Sequence, residues 1–292
     1  MSINSTIPYN TWGGVSTYST TPTQVENPYT ISNLQFNCKV NSSINIDNRI
    51  VVTNMANYAR LNIPNYVTIT SIPSGHLPSD INTSLAQDWS CAFFYMDLFS
   101  GGINLISLPE PFYDTSNATN MRNMFCFCTN LTTVPNFNTS KVTDMSWMFS
   151  MWLTNGARLI SVPNFDTGNV LNMVRMFKNC KNIITIPNFN TSNVISMEEM
   201  FNSCTNLTTV PNFDTSNVTD MDFMFATCRN ITTIPNFDTN KLTSISFMFS
   251  NCSNIKGDLY LYSNNINRAN SVFNTSTKYI KNIYCHANTT TY

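Results

Sequence analysis

The sequence predicts an α/β repeat solenoid in which each 24-residue rung carries one short strand and one short helix. Three observations carry that prediction. The segment Pro-Asn-Phe-(Asp/Asn)-Thr occurs five times, beginning at Pro135, Pro163, Pro187, Pro211 and Pro235, at intervals of 28, 24, 24 and 24 residues. A Met-Phe pair recurs in the same register at Met124, Met148, Met176, Met200, Met224 and Met248. A single unit of this length cannot bury its own apolar face, whereas stacked copies share one continuous core.

Within one unit, Thr215 to Asp238, the apolar residues Val218, Met221, Met224, Phe225 and Cys228 follow spacings of three and four. That spacing predicts one face of a short helix, with Asn217 and Asp220 as its cap and acidic partner and the Asp214-Thr215-Ser216 turn before it. Ile231-Thr-Thr-Ile234 is short and β-branched and ends at Pro235, which predicts a brief strand. The four extra residues of the 28-residue interval fall between Met151 and Leu159 and read as a loop insertion. Weaker copies extend the pattern. Leu98-Phe99 with Leu105 to Pro109 forms a degenerate unit upstream, and Ile69 to Pro73 a rung before that. Val272-Phe273 and Ile280 to Ile283 continue it downstream.

The remaining chain divides around the repeat. Residues 1–30 are rich in Ser, Thr, Tyr and Pro and read as an extended arm. Residues 31–68 alternate like short strands, as in Ile44-Asn-Ile46 and Arg49 to Val52, and suit an N-terminal β-rich cap on the open end of the solenoid. The solenoid is expected over 69–286, clearest over 115–262, with 287–292 as a tail.

Composition excludes several function classes. The 292 residues carry 45 asparagines but only 31 charged side chains, with a formal net charge of −1. Fifteen Lys and Arg without a basic run do not make a nucleic-acid footprint, and no stretch reaches the ~20 apolar residues of a membrane-spanning helix. The opening segment MSINSTIPYNTWGG has neither a basic nor an apolar region of an export leader. Nine cysteines, an odd number, fit synthesis in a reducing cytoplasm better than a complete disulfide framework.

The residues with chemical potential fall into repeat columns. Cys128, Cys180, Cys204, Cys228 and Cys252 occupy one position, with Trp152 in its place in the variant unit. A line of equivalent side chains neither converges on a metal nor points sulfurs at one another, so these thiols read as a buried structural ladder and no metal is expected. Cys126 and Cys128 form a lone Cys-x-Cys, a weak metal signal for the same reason. Phe125, Phe149, Phe177, Phe201, Phe225, Phe249 and Phe273 read as a core spine. His76 and His286 stand alone near the two ends, no catalytic or phosphate-loop motif is present, and neither a cofactor nor an enzymatic activity is expected. In each strand, the residue before the second core position points outward. Thr133, Ser161, Thr185, Thr209 and Thr233 are therefore the candidate ligand face, suited to glycans or proteins through many modest hydrogen bonds. Threonine also simply suits strands.

Asn212-Phe-Asp-Thr-Ser-Asn-Val-Thr-Asp-Met221, with Met-Phe-x-x-Cys and Asn-(Leu/Ile)-Thr-Thr, resembles the BspA-like leucine-rich-repeat surface proteins over roughly residues 89–285. The resemblance implies a leucine-rich-repeat solenoid used for adhesion or protein binding, usually on a bacterial or protist surface. Three settings follow. The first is a virion component, as of a bacteriophage, anchored by its N-terminus and displaying the solenoid to a protein or glycan. The second is a cell-surface adhesin of a bacterium or protist. The third is an intracellular protein-binding scaffold. None requires nucleic acid or membrane insertion.

Overall fold

The computed structural model describes residues 50–51, 81–82, 86–92, 108, 114–151, 157–261, 272–273 and 279–285. The arm at 1–30, most of the cap, the Ile69 rung, Trp152, His76, His286 and the tail lie outside them. Of the expected cap, Ile50–Val51 (β1) is described and pairs in parallel with Ile81–Asn82 (β2).

The repeat forms a solenoid, and its core is continuous from Ala86 to Ile255. The rung differs from the expected one. Among the described residues there is no helix, and the short strand at Ile231 to Ile234 and its equivalents is not a regular strand. The Met-Phe segment is instead a run of overlapping turns. Asn123, Trp147, Arg175, Glu199, Phe223 and Phe247 all have φ between 54° and 61°, and so do not continue an α-helix. Four residues on, Phe127, Asn179, Ser203, Thr227 and Asn251 are left-handed too.

Those conformations divide the backbone amides into two sets. In the rung of Met121, the N–H groups of Met121, Asn123, Phe125 and Phe127 donate to the carbonyls of Asp144, Ser146, Met148 and Ser150 in the next rung. The intervening amides of Met124, Cys126 and Cys128 donate three residues back within their own rung, to Met121, Asn123 and Phe125. Every second amide thus stitches neighbouring rungs and the others close turns, which satisfies this buried backbone without helix or sheet. The apolar spacing of three and four that mimics a helix arises because each turn spans three residues.

Two further devices fix the coil. At the turn that opens each rung, the first side chain accepts the amide two residues on, as Asp214 Oδ1 does from Ser216 N (3.0 Å) and Asn138 from Ser140. The buried threonine that follows reaches across to the next rung. Thr115, Thr139, Thr167, Thr191 and Thr215 donate to the carbonyls of Asn138, Asp166, Asn190, Asp214 and Asp238 at 2.8–2.9 Å. A second Asx turn sits at the column Asp88, Asn120, Asp144, Asn172 and Asp220, which is also the line of single parallel bridges that runs on to Ser244.

The ends depart from the repeat. Upstream, Trp89 N and Cys91 N donate to Asn120 O and Arg122 O, as Met121 and Asn123 do one rung later. This hydrogen-bonding register puts Trp89 at a methionine position and Ala92 where Met124 stands, so the unit is not in the register of Leu98-Phe99, a pair outside the described residues. Downstream, Lys256–Leu261 (β3) and Tyr279–Cys285 (β4) pair in parallel, with an irregularity between Gly257 and Asp258 where Gly257 has φ 101°. Regular strands thus form where the turn-rich repeat ends.

The left-handed columns supply a direct test of turns against helix. Thr227→Gly is expected to leave stability unchanged or raise it by up to ~1 kcal/mol, since φ 64° disfavours a β-branched residue. In a helix interior the same change instead lowers stability by roughly 0.3–0.5 kcal/mol, because Gly ranks below Thr as a helix former. A urea midpoint falling by that amount would argue against the turn.

Candidate binding face

Thr133, Ser161, Thr185, Thr209 and Thr233 are all exposed. The residues before them, Thr132, Ile160, Ile184, Thr208 and Thr232, are exposed or half-buried as well, so two consecutive side chains per rung face solvent between the buried pair represented by Leu131 and Val134. Two positions earlier, Asn130, Arg158, Asn182, Asn206 and Asn230 are also solvent-facing. The backbone explains this sharing of a side. Arg158 N and Ile160 N donate to Thr129 O and Thr132 O of the preceding rung, and Asn206 N and Thr208 N donate to Lys181 O and Ile184 O. Alternate amides bonded to one neighbour place their side chains together. This joins the Asn130 and Thr132 columns, and with the exposed Thr133 column beside them three residues per rung meet solvent, where the sequence predicted one.

Its apolar content is concentrated. Ile160 and Ile184, 51% and 48% exposed, interrupt the threonine column in adjacent rungs. Leu171 and Ile195 do the same, at 44% and 50%, in a second column otherwise held by Thr119, Thr143, Thr219 and Thr243. In that column the threonine hydroxyls donate to the preceding rung's carbonyl, as Thr243 Oγ1 does to Thr219 O at 3.0 Å.

Those central rungs also carry the ion pairs of the described residues. Arg175 donates through Nε to Glu199 (2.8 Å) and through Nη2 to Glu198 (2.9 Å), and Lys178 also pairs with Glu199. The Arg175 guanidinium lies 4.5 Å from the centre of the Trp147 ring. Burial raises the Glu198 carboxyl above its ordinary range, and Arg175 opposes that rise. Each side chain comes from a left-handed column or a residue one to three positions away from one, so the cluster brackets neighbouring rungs electrostatically.

The thiols lie inside. Cys128, Cys180, Cys204, Cys228 and Cys252 are buried thiols that form no disulfide, and the Sγ atoms of Cys180, Cys204, Cys228 and Cys252 donate to Phe149, Phe177, Phe201 and Phe225 carbonyls at 2.9–3.2 Å. They are hydrogen-bonding stitches as well as small apolar groups, a role that composition and spacing did not signal. Burial pushes the Cys128 and Cys252 thiols up to about 12 and raises the others of the column too. At pH 8 iodoacetamide is therefore expected to spare this column in the folded protein and to modify it in denaturant, as read by mass spectrometry. The sign for stability follows. Unfolded thiols ionise near 9.0 while these stay protonated, so stability is level below that pH and falls as pH rises above it.

The spine rings at Phe125, Phe149, Phe177, Phe201, Phe225 and Phe249 are buried, and with half-buried Phe273 they stack rung on rung at 5.5–5.7 Å. A second file, missed in the sequence, packs beside it. Phe137, Phe165, Phe189, Phe213 and Phe237 of the Pro-Asn-Phe segments lie 5.6–6.4 Å from the spine ring of their rung. Their signal was the same 24-residue recurrence that marked Met-Phe. Among the described residues no group of three or more His, Cys, Asp or Glu is placed to hold a metal, and no helix is long and apolar enough to cross a membrane.

A family model described as "Mycoplasma protein of unknown function, DUF285" matches residues 87–208 and 171–286, well over half of the chain. The chain belongs to this family. The DUF285 match begins near Trp89, where the inter-rung amide ladder of the described residues begins, and ends just past β4. No curated protein matches the chain. Among solved structures, a leucine rich cell surface protein from Faecalibacterium prausnitzii A2-165 is similar at 13% identity, covering 88% of this chain and 76% of that one, with a TM-score of 0.25.

Proposed function

We propose that this chain is a non-enzymatic recognition protein, of the kind implied by its resemblance to BspA-like leucine-rich-repeat surface proteins, which presents one side of its solenoid to a protein or glycan partner. The observation that supports this most is the three-column face. Uncharged hydroxyl and amide groups recur on it rung after rung, on a backbone stitched to the preceding rung through the amides of Arg158, Ile160, Asn206, Thr208 and Thr232. Rigid, repeated presentation lowers the ordering cost of binding an extended partner. The groups with chemical reactivity point the other way, since the thiol column is buried and protonated.

The N-terminal region serves in this reading as the anchor to a larger assembly. A cellular surface is favoured over a virion, because the family is described from Mycoplasma, a cellular organism. Capsid or tail genes beside the coding gene would reverse that preference. The test of recognition is binding of the purified chain to cells that share its source. Thr185→Glu with Thr209→Glu on the face is expected to abolish binding, while Asn240→Glu with Thr243→Glu, on other exposed columns, leaves it intact. Equal binding by both double variants sinks the assignment of the face.

A further inference from the structure

We propose that the ligand of this face is an anionic polysaccharide, carboxylated or sulfated, lying along the solenoid across successive rungs. The inference rests on the recognition reading above and adds the chemistry of the ligand.

Charge is the first argument. The five residues of each rung that form the face and its border, from Thr129–Thr133 through to the segment that ends at Gly257, contain no Asp or Glu. They contain Arg158, Lys181, Arg229 and Lys256, in a chain with a formal net charge of −1. Carboxylates of the same rungs sit elsewhere, at the Asx turns and in the Arg175 cluster. Arg158 and Arg229 are exposed, and neither belongs to an ion pair among the described residues. They lie three rungs apart, ~14 Å at the usual inter-strand spacing, Arg158 in the Asn130 column and Arg229 in the bordering column one residue earlier, with Lys181 of that border between them and Lys256 of the Thr132 column one rung beyond. A single small anion does not span that line, whereas a polymer with repeated negative charges does.

The uncharged groups of the face select among polyanions. The amides of Arg158, Ile160, Asn206, Thr208, Thr232 and Lys256 already donate to neighbouring carbonyls, so an acidic peptide laid along the rungs finds no amide to pair with at those positions. No aromatic side chain lies within those face segments, which removes the stacking platform that single-stranded nucleic acid uses. What remains is a series of hydroxyls and carboxamides that both donate and accept, matching the hydroxyls of sugar rings. Exposed Ile160 and Ile184 between them offer an apolar strip to C–H faces.

The full-length chain should be tested by biolayer interferometry against hyaluronan, dextran sulfate, uncharged dextran of equal length, poly-glutamate and single-stranded DNA. Binding is expected for one or both charged polysaccharides, falling steeply as salt rises from about 50 to 500 mM. It is expected to be absent for dextran and at least tenfold weaker for poly-glutamate and DNA. Arg158→Glu with Arg229→Glu should weaken the retained interaction by about tenfold or more, and Lys141→Glu with Lys241→Glu, on another column, should not. Folding of each variant is checked by its urea midpoint. Equal binding to dextran, equal binding to poly-glutamate or DNA, or indifference to the Arg158/Arg229 reversal each overturns the proposal. If neither charged polysaccharide binds while cell binding still depends on Thr185 and Thr209, the polysaccharide falls and the recognition reading stands.

Discussion

Replacing Phe201 by alanine is expected to lower stability by ~3–5 kcal/mol, the range for removing a fully buried aromatic ring. The ring has no exposure and lies 5.7 Å from Phe177, 5.6 Å from Phe225 and 6.2 Å from Phe213, with interplanar angles of 3°, 12° and 5°. Its loss opens a void that two neighbouring rungs line, and the flanking backbone has little freedom to close it. Phe201 N donates to Met224 O and Cys228 Sγ donates to Phe201 O, so the main chain there is pinned on both sides. Because each rung contacts only its neighbours, the weakened interface also divides the solenoid. Urea unfolding followed by circular dichroism should show the lower midpoint together with a broader transition or two steps. An unchanged midpoint would contradict the stacked register.

Thr191→Val is expected to cost ~1–3 kcal/mol although it keeps the side-chain shape. Thr191 is 1% exposed, and its hydroxyl donates to Asp214 O at 2.8 Å across the rung boundary. Valine leaves that acceptor facing a methyl group in a place that water does not reach. Thr191→Ser is the control. It retains the donor and gives up only a methyl, so it should recover most of the loss. Equal destabilisation by both substitutions would mean that the methyl packing and not the hydrogen bond matters. The exposed Thr243, whose hydroxyl makes a similar bond to Thr219 O, should tolerate valine with a change below ~0.5 kcal/mol because water replaces the bond.

The contrast between Thr191 and Thr243 shows how much the sequence conceals. Both are threonines at invariant distances from the Met-Phe pair, yet one is interior and the other exposed. The repeat length, the apolar positions and the outward column at Thr133 to Thr233 were legible because buried residues recur with the coil. The turn ladder was not, since spacings of three and four serve a helix and a chain of three-residue turns equally. The backbone sign that separates them, positive φ at residues as unlike as Trp147, Arg175, Glu199 and Phe223, has no common side-chain signature. The extra columns of the face escaped for a related reason. Two adjacent exposed residues break the alternation expected of a strand.

The asparagine and threonine excess was a matter of sequence alone. Every rung needs side chains that accept or donate at fixed turns, and a stack in register cannot repeat a charge at each of them without repulsion. The 24-residue period determined by itself that the chain stacks, and with it which residues form the core. Only the tertiary structure decided how the backbone satisfies its amides, because the partner of each inter-rung donor lies 22 residues or more away and is supplied by another rung. It also decided that Arg158 and Ile160 share one side with Asn206 and Thr208, since sharing a face depends on which amides point at the neighbouring rung.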